Sequence, residues 1–248
     1  MAVRRFRRAG GDAASEPRLR LFCFPHAGAG AALFRSWPEH LPHGVEVVCP
    51  CLPGRDARAA EAPLAEMAPL VRDLADQIAD LLDRPYALYG HSLGAFVAFD
   101  LAHELIRRGA PAPAQLLVSG QRGPSLPYDQ TPIYQLPDDA FIAAVCRRHN
   151  AIPAAILADK AMLAYLTRLL RADFTLVEAF CYTAATRLTC RITAYGGVDD
   201  PMIGREQLAA WSQETVGGFN LRMVPGAHFF PQSHPAELLA QVSDDLGL

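Results

Sequence analysis

The 248 residues are 51% apolar and 20% charged, a balance that supports a large buried core and excludes an intrinsically disordered chain. A net charge of −3 provides no basic face for nucleic acid, and no apolar run approaches the length of a membrane span. Cys23, Cys49, Cys51, Cys146, Cys181 and Cys190 form no CxxC pair and no Cys/His set with zinc spacing, so they read as free thiols in a reducing compartment.

Residues 1–17 are polar and carry Arg4, Arg5, Arg7 and Arg8 but no apolar h-region. The segment reads as a disordered basic arm rather than a signal peptide, and the protein as cytoplasmic and soluble. One domain is expected over 18–248. Apolar runs at 19–24 and 45–48, followed by Pro25 and Pro50, predict strands, with a helical stretch near 31–41 between them. Leu70, Leu74, Ile78, Leu81 and Leu82 recur at helical spacing and predict an amphipathic helix over 69–83. A strand at 86–89 runs into a helix at 93–108 closed by Gly109, and 116–119 is a further strand. Strands alternating with helices specify an α/β fold, a mostly parallel sheet with helices on both faces.

From about 126 to 186 the strand pattern stops. Two helical periods replace it, one of Met162, Tyr165, Leu166, Leu169 and Leu170, the other of Phe174, Val177 and Phe180. Alternation resumes with a strand at 190–195, a helix near 205–212, a strand at 219–224 and a helix from Pro235. A helical block inserted into an α/β sheet predicts a lid over the strand ends, where ligands bind in such sheets.

Gly90-His91-Ser92-Leu93-Gly94 has the GxSxG form of a nucleophile elbow, lying between the strand YALY and a long helix as that motif requires. The glycines leave room for a strand to turn directly into a helix with Ser92 at the apex. A Ser hydroxyl attacks only when a base takes its proton, so a histidine must follow, with an acid between the two in chain order. Of the eight histidines, His149, His228 and His234 lie well downstream of Ser92. His149 falls in the insertion, before any strand that could supply the acid. His228, in the turn PGAHFF after the 219–224 strand, is preferred to His234, which precedes Pro235 and reads as a helix start.

The acid belongs to Gly196-Gly197-Val198-Asp199-Asp200-Pro201, after the strand at 190–195. Asp200 is preferred because Pro201 biases it to extended backbone; Asp199 remains the alternative, as a residue capping the turn or the next helix. Backbone N–H groups that receive an oxyanion are expected from Leu93, at the positive end of a helix, and from Ala27 in the small-residue loop Pro25-His26-Ala27-Gly28-Ala29-Gly30. His26 reads as a residue tying that loop down. The constellation is that of a serine hydrolase.

The motifs FCFPHAGAGAALF from Phe22, LPGR from Leu52, GHSLGA from Gly90, LPDDAF from Leu136, LRADF from Leu170, GGVDDP from Gly196 and PGAHFF from Pro225 occur in this order. Together they resemble the type II thioesterases that accompany modular polyketide synthases and non-ribosomal peptide synthetases, over nearly the whole chain after the arm. The resemblance implies an α/β-hydrolase fold, Ser92, Asp200 and His228 as the catalytic triad, Ala27 and Leu93 as oxyanion donors, and the insertion as a helical lid over an acyl chamber. It also implies hydrolysis of acyl groups from the phosphopantetheine arm of an acyl or peptidyl carrier protein, with no metal or redox cofactor, by a protein expected to act as a monomer. Arg171 and Asp173 of LRADF are expected to fix the lid through an ion pair. A small-molecule carboxylesterase or acyltransferase on the same fold is the alternative.

Overall fold

Strands whose residues face apolar layers on both sides bury nearly every position, and the runs at 19–24, 45–50, 86–91 and 115–119 do so. The computed structural model describes residues 3–7, 16–149, 152–183 and 186–248. Within these, seven strands form one sheet: β1 Val3–Phe6, β2 Leu19–Phe24, β3 Val45–Pro50, β4 Tyr86–His91, β5 Gln115–Ser119, β6 Arg191–Gly197 and β7 Phe219–Val224. Their order is β1-β3-β2-β4-β5-β6-β7, parallel throughout except for the antiparallel β1–β3 pair. The helices are α1 Trp37–His40, α2 Met67–Ile78, α3 Leu93–Arg107, α4 Asp138–His149, α5 Ala154–Ala158, α6 Lys160–Glu178, α7 Arg205–Ala209, α8 Phe230–Ser233 and α9 Pro235–Leu246.

The two-residue period of the strands sorts their side chains into two cores. Phe22, Val48, Leu88, Leu116 and Ile192 pack under α2, α3 and Trp211 on one face. Leu21, Val47, Ala87, Leu117 and Tyr195 pack under Trp37 and α9 on the other. Trp37 meets Phe34 and Tyr89 edge-on at 4.8 and 4.7 Å and is fully buried, so truncating it to Ala would cost about 3–5 kcal/mol.

The helical stretch expected near 31–41 is instead a short 3-10 turn, Ala31–Phe34, followed by α1. Pro38 is the reason, since it has no N–H to bond back to the preceding turn. The two helical periods read between 162 and 180 belong to the single helix α6, except Phe180, which lies two residues past its end; the start of α6 is capped by Asp159 accepting from Ala161 and Met162 N–H at 2.9 and 3.0 Å.

The basic arm requires a correction. Val3–Phe6 is not disordered but forms the edge strand β1, in register with β3 from Val3 opposite Pro50 to Phe6 opposite Val47. Two forces bring it there. Val3 and Phe6 pack against the two cores, and Arg7 Nε donates to the buried Glu46 carboxylate at 3.0 Å, beside the bond from Arg20 at 2.9 Å. Residues 8–15 of the expected arm lie outside the described residues.

Between β5 and β6 the chain forms α4, α5 and α6, with a third small core of Phe141, Val145, Leu170 and Phe174. Arg171 stacks over Phe141 at 4.5 Å and pairs with Asp138 at 2.6 Å. Glu178 ties the approach to α4: it accepts from Tyr128 Oη, Ile133 N–H, Tyr134 N–H and Arg148 Nη1 at 2.7–3.0 Å. No helix among the described residues is long and apolar enough to cross a membrane.

Candidate active site

β4 turns into α3 at Ser92, which has φ +54° and ψ −116°. A non-glycine residue in that region is strained, and the strain is held by close packing on either side. A Cβ on Gly90 would lie 1.9 Å from Gly94 O, and one on Gly94 would lie 2.1 Å from Phe24 O. Ser92 N–H donates to Ser119 O at 2.8 Å, pinning the apex to the end of β5. Leu93 is the first residue of α3, so its N–H has no intrahelical acceptor and points out of the helix's positive end.

The loops after β6 and β7 meet one another. Asp199 N–H donates to Gly226 O at 3.0 Å, and Gly197 lies so close to that loop that a Cβ would sit 2.5 Å from Gly226 O. This contact turns Asp200 toward His228, whose Nδ1–H donates to Asp200 Oδ2 at 2.8 Å. The other carboxylate oxygen, Oδ1, accepts from Met202 and Ile203 N–H at 2.9 and 3.3 Å. The Asp200 side chain is fully buried, whereas Asp199 is exposed. His234 stands at the start of α9, where its Nδ1 meets Ser233 Oγ at 2.8 Å.

Ser92, His228 and Ala27 line one cavity, walled on the opposite side by Val145, His149 and Phe174 of the insertion. Ser92 and His228 are not hydrogen-bonded to each other among the described residues, and such contacts often tighten only when substrate is bound. With Nδ1 bonded to Asp200, Nε2 is the ring nitrogen of His228 that carries no bond to the acid.

Three further imidazoles surround His228. The His91 ring centroid lies 5.2 Å from it and that of His149 6.0 Å away, while His26 is 6.0 Å from His91. Burial lowers the pKa of both His26 and His149 to about 4, and nearby His228 adds to the effect. His91 is fully buried and pushed well below the usual histidine range, again by desolvation first and His228 second. These rings are therefore neutral at pH 7. They place no positive charge beside the His228 ring.

The loop after β2 is fixed at several points. His26 Nδ1–H donates to Ala27 O at 2.9 Å, Gly28 N–H donates to Asp173 Oδ2 at 2.7 Å, and Ala31 N–H donates to Asp56 Oδ2 at 2.9 Å. Asp173 pairs with Arg55 at 2.6 Å, while Arg171 pairs with Asp138, so the two LRADF charges tie the insertion down separately. Sequence reasoning gave Arg55 of LPGR no role and set His149 aside. The signal for Arg55 was present in its motif; that for His149 was absent, because only the tertiary fold brings α4 over Ser92. Among the described residues no group of three or more His, Cys, Asp or Glu is arranged to hold a metal ion.

The family model described as Thioesterase domain matches residues 19–246. The chain belongs to the thioesterase family. This thioesterase, a thioester hydrolase, is 36% identical over 234 residues to the gramicidin S biosynthesis protein GrsT of Aneurinibacillus migulanus, spanning 94% of this chain and 91% of that one. It is similar to the solved structure of RedJ, a thioesterase from the prodiginine biosynthetic pathway in Streptomyces coelicolor, with 37% identity, a TM-score of 0.84, and coverage of 94% and 90% of the two chains. BorB, a type II thioesterase from the borrelidin biosynthetic cluster, matches with 30% identity and a TM-score of 0.84 over 98% and 97% of the chains. The thioesterase accordingly has the α/β-hydrolase fold, with a helical insertion between β5 and β6.

Proposed function

We propose that this thioesterase removes aberrant or stalled acyl groups from the phosphopantetheine arm of an acyl or peptidyl carrier protein, using Ser92, His228 and Asp200. The observation that carries the chemistry is the 2.8 Å bond from His228 to the buried Asp200, with Ser92 at a strained elbow on the same cavity. The carrier-protein reading rests on the relatives, which serve gramicidin S, prodiginine and borrelidin biosynthesis.

In this reading His228 Nε2 takes the Ser92 proton as Oγ attacks the thioester carbonyl. The tetrahedral oxygen receives the N–H groups of Ala27 and Leu93, which act where charge develops rather than on the ground state. Collapse expels the pantetheine thiol, which takes the proton from His228. Water, deprotonated in turn by His228, cleaves the acyl-Ser92 ester and releases the acid. Asp200 holds the imidazole in the tautomer that leaves Nε2 free. The acyl chain occupies the apolar wall formed by Val145, Leu170 and Phe174, so the insertion acts as the lid of the chamber. The protein works as a cytoplasmic monomer.

The test compares acid release from an acyl-loaded carrier protein with release of the same acyl group from a short pantetheine thiol and from p-nitrophenol. A preference in kcat/KM for the carrier-bound substrate, abolished by Ser92→Ala, is the expected result. Equal or faster turnover of the free esters would move the function to a general carboxylesterase, and retained activity in Ser92→Ala would remove the assignment of the nucleophile.

A further inference from the structure

The loop carrying Ala27 is held by two acids of different origin. Asp56, on the Ala31 N–H, follows β3 and belongs to the sheet domain; Asp173, on the Gly28 N–H, lies on α6 of the insertion, 145 residues after that glycine. Arg55 completes the unit. Its Nη2 donates to Asp173 Oδ1 at 2.6 Å, and its Nη1 donates to both Asp173 Oδ2 at 2.8 Å and Ala29 O at 3.0 Å. The two side chains are 5% and 1% exposed.

Burying both charges costs desolvation that an apolar pair of similar volume would avoid, so packing alone does not call for an ion pair here. What an apolar pair lacks is the acceptor for Gly28 N–H and the donor for Ala29 O. Gly28 N–H is one end of the Ala27–Gly28 peptide; the other end, Ala27 O, accepts from His26 Nδ1 at 2.9 Å. That peptide plane is therefore fixed at both ends, and with it the Ala27 Cα, to which the nitrogen of the Ala27 N–H is bonded. Helix α6 also lies flush on the loop, since a Cβ at Gly28, which has φ +77°, would meet Leu170 Cδ2 at 2.7 Å.

Resting on the reading of Ala27 as an oxyanion donor, we propose that Asp173 and Arg55 are positioning residues for the oxyanion hole. Through them the insertion, and not the sheet alone, sets the Ala27 N–H on the tetrahedral oxygen. A donor of this kind acts in the transition state, so its displacement lowers kcat and leaves KM in place.

Two double variants separate this role from a structural one. Arg55→Asp with Asp173→Arg keeps an ion pair but offers Gly28 N–H no acceptor, and Arg55→Met with Asp173→Leu keeps the volume and removes both charges. Asp173→Asn keeps an acceptor oxygen. Each is assayed for kcat and KM on an acyl-pantetheine thioester, for inhibition by an alkyl boronic acid whose adduct mimics the tetrahedral intermediate, and for Tm. Both double variants are expected to lose about 10- to 100-fold in kcat, with boronate affinity falling by the same factor and KM within about two-fold. Asp173→Asn should retain more of kcat than either. Wild-type kcat and boronate affinity in a folded double variant would overturn the proposal, as would kcat losses that simply follow Tm. If neither double variant folds, Asp173→Ala, which leaves Gly28 N–H without its acceptor, is judged by the same criterion, a joint loss of kcat and boronate affinity at unchanged KM, with Asp173→Asn expected to lose less of both. Ser92→Ala runs alongside: hydrolysis surviving in it would remove the underlying reading, whereas Ser92-dependent hydrolysis indifferent to the double variants would overturn this inference alone.

Discussion

Strand β4 buries all six of its residues, while α4 buries four of twelve and α5 none. Both regions reach the same cavity, yet they hold their groups by different means. On the sheet side, Ser92 is placed by backbone: two glycines in van der Waals contact with neighbouring carbonyls and a strand-to-helix turn that admits no alternative. On the insertion side, apolar packing of Leu176 and Leu170 is joined by a few buried polar anchors, Glu178 and the Arg55–Asp173 pair. Steric constraint gives fixed geometry with no freedom to adjust. Side-chain anchoring rests on a few interactions, each of which one substitution can remove.

Replacing the groups proposed for catalysis on the sheet side should have the largest effects. Ser92→Ala is expected to cut kcat by at least about 10⁴-fold with Tm unchanged, read by acid release and thermal melting. Asp200→Asn should lose on the order of 10⁴-fold in kcat because the imidazole tautomer is no longer fixed. Asp199→Asn, at an exposed position, should stay within about three-fold of wild type. Equal losses at the two positions would defeat the choice of Asp200.

A smaller effect tests the steric half of the contrast. Gly94→Ala would place a Cβ 2.1 Å from Phe24 O, so a stability loss of about 4 kcal/mol or more is expected in denaturant melts. At Gly109, φ +80° with no atom within 4 Å of an added Cβ, the same change should cost only about 1 kcal/mol. Glu178→Ala tests the other half. It leaves two buried N–H groups and Arg148 without their acceptor, at a cost of about 3 kcal/mol. The loss should be local, with hydrogen exchange rising in α4–α6 while β4 and β5 keep their protection. Uniform acceleration across the sheet would mean that the two regions unfold as one.

The finest distinction is in pH. His149 titrates at about 4 in the fold, lowered by burial, and near 6.5 in an unfolded chain. Between those values only the unfolded chain holds the proton, so the stability present above about pH 6.5 is lost as pH falls toward about 4. His149→Gln should make the slope of Tm against pH shallower in that window, with His26, also lowered to about 4, preserving part of it. An unchanged slope would count against a buried neutral His149.

The legible features were those written in short stretches of chain. Alternation placed β2 and β7 at 19–24 and 219–224, and a five-residue motif between strand and helix located the Ser92 elbow. The illegible features join residues far apart. Nothing near Asp173 in the chain identifies Arg55, 118 positions earlier, as its partner, and nothing near His149 brings it to His228. β1 was missed for a related reason. Its sequence, VRRF, is too short and too charged to read as a strand, and it becomes one through contacts made elsewhere in the fold: Val3 and Phe6 against the two cores, and its cations against the buried Glu46 on β3.

That edge bears on how the protein behaves at high concentration. Without β1, the flank of β3 would present a row of unpaired backbone groups on the apolar strand VEVVCP, a template for joining another molecule's sheet. β1 occupies the template and turns Arg4 and Arg5, both exposed, outward in its place. Shortening the chain to begin at Pro17 should therefore leave hydrolysis intact in dilute solution yet raise light scattering with time and concentration, the mark of self-association through an uncovered strand.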